Sequence, residues 1–221
     1  MSASPFQPLH RAMQAQVDGG FLPGVSTALL RGRQVVDRFV CGHADIEAST
    51  PLREDHLFRV FSNTKLVTSC AVLLLVEQGK LALDDPIERY LPELGHRQVL
   101  RPGATRIDDV EPARTPITVR HLMTHTAGLS YGLFSPGALL NDAYRQAAVL
   151  RPTLSNAQMV AELAKLPLAF HPGAQWEYSL ATDVLGRLVE VVSGHSLGPF
   201  FSRHIFEPLD MADTAFVLSD A

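Results

Sequence analysis

Residues 62–78 read SNTKLVTSCAVLLLVEQ and contain both the strongest helix signal and a reactive side-chain pattern. From Leu66 onward the segment is apolar nearly all round, which predicts a buried helix, and Gly79 follows where a glycine commonly ends one. Ser62 and Lys65 are three residues apart, so a helix places both side chains on one face. Burial and the positive helix N-terminus lower the pKa of a lysine amine, which can then take a serine proton. The pattern predicts a nucleophilic serine, although the spacing alone also fits a plain serine N-cap.

Outward from this segment, the chain before it reads as a helix and a hairpin. The pattern predicts a helix over 5–18 and a β-hairpin over 24–42, which turns at Arg31, Gly32 and Arg33. Two strands alone are marginally stable, and strand signals nearly vanish later in the chain. Either the helices cover the hairpin, or further strands belong to a part of the protein that this sequence does not contain.

The chain after residue 78 reads as mainly helical. Asp84 and Asp85 precede a predicted helix start at Pro86 and are expected to cap that helix. Residues 95–116, rich in Pro, Arg and Asp, read as a surface excursion. Helices are predicted over 118–125, 155–166, 180–193 and 196–209. These patterns predict an α+β protein, divided into residues 1–45 with the helix and hairpin and residues 46–221 as a mainly helical domain.

A second serine competes for the role of nucleophile. Residues 194–198 read G-H-S-L-G, which matches the G-x-S-x-G elbow of α/β-hydrolases. That elbow needs a strand before it and a histidine after the catalytic acid, but a helical pattern precedes Gly194 and His204 is the one histidine that follows. We therefore predict that Gly194 ends one helix and that Ser196 caps the next.

Four segments together carry a family resemblance: LFRVFSNTKLVTSCAVLLLVEQGKLALDDPIERYLPEL (57–94), ITVRHLMTHTAGL (117–129), FHPGAQWEYSLATDVLGRLVEVVSGHSL (170–197) and PLDMADTAF (208–216). In this order they resemble the serine β-lactamase and penicillin-binding-protein superfamily. The nearest character is that of the family VIII carboxylesterases, relatives of class C β-lactamases that hydrolyse carboxylic esters. The resemblance implies a β-lactamase-like fold, in which a helical domain packs on an antiparallel sheet.

The resemblance also assigns roles at the site. It implies that Tyr178 faces Ser62 and Lys65 and that its phenol or phenolate moves the proton between Ser62 and the leaving group. The backbone N–H of Ser62 is expected to stabilise the oxyanion. Leu180 stands where class C β-lactamases have an asparagine that holds the lactam, which favours a small-molecule ester as substrate. No metal or cofactor is expected.

The chain departs from the family pattern at its end. The third motif of the superfamily lies on a strand near the C-terminus, and this sequence stops at Ala221 before any such segment. We therefore expect the N-terminal part of a family member, truncated before the C-terminal strands, with weak or no activity on its own. A β-lactamase or D-Ala-D-Ala carboxypeptidase, an acyltransferase and a non-catalytic domain remain as alternatives.

The remaining features narrow the class of protein. A net charge of −4 gives no basic footprint for nucleic acid. The sequence lacks an apolar run of membrane-spanning length and a secretory signal, so a cytoplasmic location is expected. Metal binding at the i, i+4 pair His121 and His125 is not favoured because Leu122 stands where zinc proteases need Glu; a hydrogen-bonded His125 in the cleft wall is expected instead. Cys41 and Cys70 are expected to be two buried thiols, with a disulfide as an alternative that no motif supports. Phe170 and Trp176 are expected to line an acyl pocket or to pack in the core.

Overall fold

The computed structural model describes residues 4–131 and 139–217. The chain divides into two units, the first ending at Arg59 and the second beginning at Val60. The division at residue 45 that the sequence suggested stays a prediction.

The first unit contains the predicted helix and hairpin. Helix α1 covers Gln7–Asp18, and the hairpin pairs strand β1 (Gly24–Arg31) with strand β2 (Gln34–Asp45) in antiparallel register. A short third strand, β3 (Thr50–Pro51), pairs with β2, so the sheet order is β1-β2-β3. The hairpin prediction is confirmed, and β3 supplies a third strand that the sequence pattern did not reveal.

Among the described residues, the second unit contains six α-helices, several short 3₁₀ turns, a π-helical turn over Ser202–Phe206 and a small hairpin. The helices are α2 (Thr64–Glu77), α3 (Val119–Met123), α4 (Leu139–Gln146), α5 (Asn156–Ala164), α6 (Ala181–Ser193) and α7 (Leu197–Phe201). Its core forms where α2 packs against α6. Ala71, Val72 and Leu75 of α2 lie in one buried cluster with Leu185 and Leu188 of α6. Each fully buried leucine stabilises the unit by roughly 1.5–3 kcal/mol.

Helix α2 is buried on one side only, so the prediction of burial all round is wrong. Leu66 and Leu73 remain 69% and 46% exposed. The buried positions instead follow the i, i+3, i+4 and i+7 spacing from Thr68. An all-apolar sequence could not indicate which face would be covered. Cys70 lies on the exposed side and Cys41 is half-buried; both thiols are free, so the expected burial of the pair is also wrong.

Residues 95–116 contain a hairpin that the sequence pattern missed. Strand β4 (Gln98–Leu100) pairs antiparallel with strand β5 (Val110–Pro112). Strands of three residues are too short for a period-2 pattern to show. Arg97, just before β4, is buried and its guanidinium donates hydrogen bonds to the carbonyls of Leu163, Ala164 and Leu166 at the end of α5. This arginine therefore satisfies orphan carbonyls at a helix C-terminus, and burial lowers its pKa.

The predicted helix at Pro86 is two short 3₁₀ turns, Ile87–Arg89 and Pro92–Leu94, because Pro92 interrupts helical hydrogen bonding. The two aspartates are not helix caps. Asp84 pairs with Arg120 at 2.7 Å, and Asp85 accepts hydrogen bonds from the Ala82 N–H and the Tyr90 hydroxyl.

Candidate active site

Ser62 lies in a 3₁₀ turn, Phe61–Asn63, that runs directly into α2. The residue before it, Phe61, has a φ of +41°, a conformation that L-residues with a Cβ rarely adopt. Such strain is commonly found at functional sites. The turn leaves the Ser62 side chain exposed at the positive end of α2.

The structure brings Ser62, Lys65 and Tyr178 together. Ser62 Oγ lies 2.8 Å from Tyr178 Oη, a hydrogen-bond distance at which either hydroxyl can donate. Lys65 is partly buried on the first turn of α2, and its Nζ lies 5.1 Å from the centre of the Tyr178 ring. Tyr178 comes from the loop before α6, so two distant segments supply the three side chains.

The charges at this site move two pKa values in opposite directions. The hydrogen bond from Ser62 lowers the pKa of Tyr178, and the hydrogen bond and charge of Lys65 lower it further. Burial lowers the pKa of Lys65, but the Tyr178 hydrogen bond together with Tyr131, Tyr178 and Asp183 outweighs burial, so the net pKa is raised. The expectation of a lysine with a depressed pKa is therefore wrong, because two tyrosines and an aspartate compensate its desolvation. The tyrosine is the group whose deprotonation is eased.

Two further residues surround the lysine and were missed from the sequence. The Tyr131 ring stacks on the Tyr178 ring with centres 5.6 Å apart, and Lys65 Nζ lies 5.6 Å from the Tyr131 ring centre. Asp183 is on the first turn of α6, and burial raises its pKa while the Lys65 charge opposes this. In the sequence, the one signal for Asp183 was its position five residues after Tyr178. No local pattern marked Tyr131.

A cavity of about 350 Å³ opens beside Ser62 and Lys65. Its lining includes Ser62, Lys65, Tyr131, Asp183, Phe61 and Phe216. This volume lies at the small end of the range for small-molecule sites, roughly 300–1,000 Å³. Polar and apolar groups both line it, so it can hold a short acyl chain with a polar carbonyl end.

The expected hydrogen bonding of His125 is confirmed, and its ring contacts the Tyr178 ring, but it does not line the cavity beside Ser62. Its Nδ1 lies 3.2 Å from Ser179 Oγ. Within residues 4–131 and 139–217, no three His, Cys, Asp or Glu side chains are grouped as metal ligands would be. The two aromatic residues proposed for an acyl pocket do not line the cavity beside Ser62. Phe170 is 9% exposed and Trp176 is 67% exposed, with its ring centre 6.4 Å from that of His125.

The competing serine lies in a different setting. Gly194 ends α6 in the left-handed conformation with a φ of +74°, and Ser196 is the N-cap residue of α7. The segment before Gly194 is therefore a helix, and the strand that an α/β-hydrolase elbow requires is not there. The Ser196 side chain makes no capping hydrogen bond, so it occupies the predicted position without the predicted contact.

Comparisons with known proteins point to the same family. The profile of the family described as Beta-lactamase matches residues 9–221. The chain is 39% identical over 202 residues to Protein Rv1367c of Mycobacterium tuberculosis, covering 91% of this chain and 49% of that one. It is 38% identical over 201 residues to Esterase EstB of Burkholderia gladioli, covering 90% and 48%. The solved structure of "EstCE1, a hydrolase with promiscuous acyltransferase activity" matches with a TM-score of 0.85 at 31% identity, covering 97% of this chain and 54% of that one.

The chain therefore belongs to the beta-lactamase family and has a β-lactamase-like fold of helices and antiparallel sheets. The resemblance and the fold class inferred from the sequence are confirmed. The chain spans about half the length of the curated relatives it matches.

None of the helices in the described ranges is long and apolar enough to cross a membrane.

Proposed function

We propose that the protein is a serine hydrolase that cleaves small carboxylic esters through an acyl-enzyme on Ser62. One observation carries the proposal: Ser62 Oγ lies 2.8 Å from Tyr178 Oη, beside the Lys65 amine. A serine hydroxyl is a weak nucleophile until an adjacent base removes its proton. Similarity to Esterase EstB and to the hydrolase EstCE1 supports the same class of reaction.

In the proposed first step, the Tyr178 phenolate accepts the proton of Ser62 Oγ as that oxygen attacks the ester carbonyl carbon. The charged Lys65 amine stabilises the phenolate, which agrees with the lowered pKa of Tyr178 and the raised pKa of Lys65. The tetrahedral intermediate then collapses, its bond to the alkoxide breaks, and the Tyr178 hydroxyl donates the proton to the leaving alcohol. The acyl group remains on Ser62.

In the second step, water attacks the acyl carbon while Tyr178 accepts its proton. Ser62 leaves as the new intermediate collapses and regains a proton from Tyr178, which releases the carboxylic acid. The backbone N–H of Ser62 lies at the N-terminal end of the helical segment, where such groups lack intrahelical acceptors. It is the proposed donor to the oxyanion, and losing one such donor commonly costs about 10²–10³ in rate.

The substrate proposal favours esters over lactams because of Leu180. This residue is 1% exposed and belongs to the apolar core, so it offers no hydrogen bond to a ligand. A class C β-lactamase has an asparagine at the corresponding place. A small ester needs no such amide contact.

Acyl transfer to an alcohol is the second candidate. The related protein EstCE1 is described as a hydrolase with promiscuous acyltransferase activity, and one acyl-enzyme can serve either water or an alcohol as acceptor. Adding a primary alcohol during turnover and analysing the products separates the two. New ester in place of acid identifies a transferase.

The test compares p-nitrophenyl butyrate hydrolysis by the wild type, Ser62→Ala and Ser196→Ala. Ser196→Ala is the matched control because its serine lies in the competing G-x-S-x-G segment. We expect Ser62→Ala alone to lose p-nitrophenyl butyrate hydrolysis. We also expect the wild type to turn over a chromogenic cephalosporin more slowly than p-nitrophenyl butyrate. Full activity in Ser62→Ala would refute the mechanism, and faster cephalosporin turnover would refute the substrate class.

A further inference from the structure

His125 has a backbone conformation that its residue type seldom adopts. Its φ is +55°, in the left-handed region, at the residue that follows α3 and Thr124. Few non-glycine residues adopt this conformation, and surrounding contacts must hold them in it. The conformation turns both the carbonyl and the ring of His125 toward the segment that carries Tyr178.

Four contacts join His125 to residues 177–179, one of them the 3.2 Å approach of its Nδ1 to Ser179 Oγ. Its carbonyl accepts the Glu177 N–H at 2.9 Å. Its Nδ1 accepts the Ser179 N–H at 3.2 Å. Its ring stacks on the Tyr178 ring with centres 5.0 Å apart and planes 30° apart. Tyr178 therefore has both chain neighbours fixed by the residue that also supports its ring.

The Ser179 contact determines the protonation state of the ring. A backbone N–H can only donate, so Nδ1 must accept and the ring proton of the neutral imidazole is on Nε2. A doubly protonated imidazolium carries hydrogen on both nitrogens and accepts nothing. Protonation would set two N–H groups against each other at 3.2 Å, which breaks the backbone hydrogen bond from Ser179. The Ser179 hydroxyl, also 3.2 Å from Nδ1, is then the acceptor left to the ring, and a bond to that side chain does not hold the backbone N–H.

We propose that neutral His125 is a positioning residue that holds Tyr178 against Ser62, and that protonation of its ring releases this segment and stops acylation. The inference rests on the proposed role of Tyr178 as the base for Ser62. The mechanism described above does not use His125 as a reacting group. Its effect passes through the placement of Tyr178.

The surroundings of the ring fix the direction of the pH dependence. Burial lowers the pKa of His125, and the Lys65 charge on α2 lowers it further. Tyr178 also faces the ring, Glu177 is the acidic residue of the contacting segment, and Arg120 and His121 lie on α3, which precedes His125. The release therefore occurs below the ordinary histidine pKa of about 6.5, and the neutral form persists at pH 7.

A first measurement needs no catalysis. An NMR pH titration of the protein follows the His125 ring protons and the Ser179 amide, with His125→Asn used to assign the ring signals. We expect the Ser179 amide shift to follow the His125 titration with the same midpoint, below about 6.5. A Ser179 amide that is indifferent to that titration would overturn the inference.

A second measurement follows the rate at which a fluorophosphonate probe labels Ser62 between pH 4 and pH 9. Asparagine tolerates left-handed backbone and can place an amide oxygen where Nδ1 accepts, but it does not titrate. His125→Phe keeps an aromatic ring and loses the acceptor. His121→Asn is the matched control, since it removes a neighbouring histidine of α3 that does not contact Tyr178.

We expect His125→Phe to slow labelling by about 10²-fold, the cost of misplacing a reacting group by roughly 1 Å. His125→Asn should recover most of that loss and lack the acidic inflection, while His121→Asn keeps it. An acidic inflection that persists in His125→Asn would overturn the inference while Ser62 labelling stands. Failure to label Ser62 in the wild type would overturn the proposed function and the inference with it.

Discussion

Lys65 and Tyr178 form a pair in which the amine stays charged so that the phenol can lose its proton. The pKa of Tyr178 is lowered from 10.0, chiefly by its hydrogen bond with Ser62, and the pKa of Lys65 is raised. The phenolate fraction therefore grows as pH rises through a value below 10.0, while the amine remains protonated. This arrangement supports the proposal that tyrosine is the base and lysine its electrostatic support.

The pairing of Lys65 with Tyr178 predicts how the labelling rate of Ser62 depends on pH. The labelling rate of Ser62 should rise with pH through the Tyr178 pKa, and Lys65→Met should move that inflection upward because the stabilising charge is gone. Lys80→Met, which removes an exposed lysine beyond the end of α2, is the control and should leave the inflection in place. An unchanged inflection in Lys65→Met would show that the lysine does not tune the tyrosine.

The buried hydroxyl of Tyr144 should contribute to the stability of the fold. Burial raises its pKa to about 12, and its phenol oxygen accepts the buried Ser130 N–H at 3.2 Å. The folded state holds the phenol proton of Tyr144 more tightly than the unfolded state does. Its contribution to the free energy of unfolding is therefore complete below pH 10.0 and declines as pH rises toward about 12. Tyr144→Phe should lose about 1–3 kcal/mol at pH 7 through the unpaired N–H, measured by urea unfolding. A loss near zero would mean that the amide finds another acceptor.

At the scale of elements, two helix starts that look alike in sequence differ in the structure. Ser155 accepts the Gln158 N–H at 3.2 Å while Gln158 Oε1 accepts the Ser155 N–H at 2.9 Å, a reciprocal cap on α5. Ser196 begins α7 without a side-chain cap bond. Ser155→Ala should therefore cost about 1 kcal/mol, and Ser196→Ala clearly less, in paired urea unfolding. An equal cost would contradict the assigned caps.

In the turn after α3, the backbone passes so close to another segment that only a glycine fits there. Gly128 has a φ of +82°, and a Cβ there would lie 2.2 Å from the Phe170 carbonyl oxygen. Gly79 has a similar φ of +66° but open space around it. Gly128→Ala should therefore lower the Tm well below that of Gly79→Ala, which carries only the left-handed penalty of about 1–2 kcal/mol. Similar melting temperatures would show that the turn yields without cost.

At the scale of the whole molecule, the sequence predicted what local spacing can encode. Patterns among neighbouring residues predicted the hairpin and the helices α5 and α6. The three-residue spacing of Ser62 and Lys65 is likewise visible in a short stretch of sequence. The approach of Tyr178 to Ser62 joins residues 116 positions apart, and only the family resemblance indicated it. Tyr131 and Asp183 were missed for the same reason, because long-range packing brings them to Lys65. Strands β4 and β5 were missed because three residues show no period.

The most direct test of the central claim identifies which serine becomes covalently modified. The protein is incubated with a fluorophosphonate probe, the adduct is measured by intact mass, and the labelled peptide is mapped. One acylation-like event per molecule suffices, so a slow nucleophile is still detected. We expect a single adduct on Ser62 that is absent from Ser62→Ala and retained in Ser196→Ala. An adduct on Ser196, or none on Ser62 at any pH between 6 and 10, would contradict the proposed site.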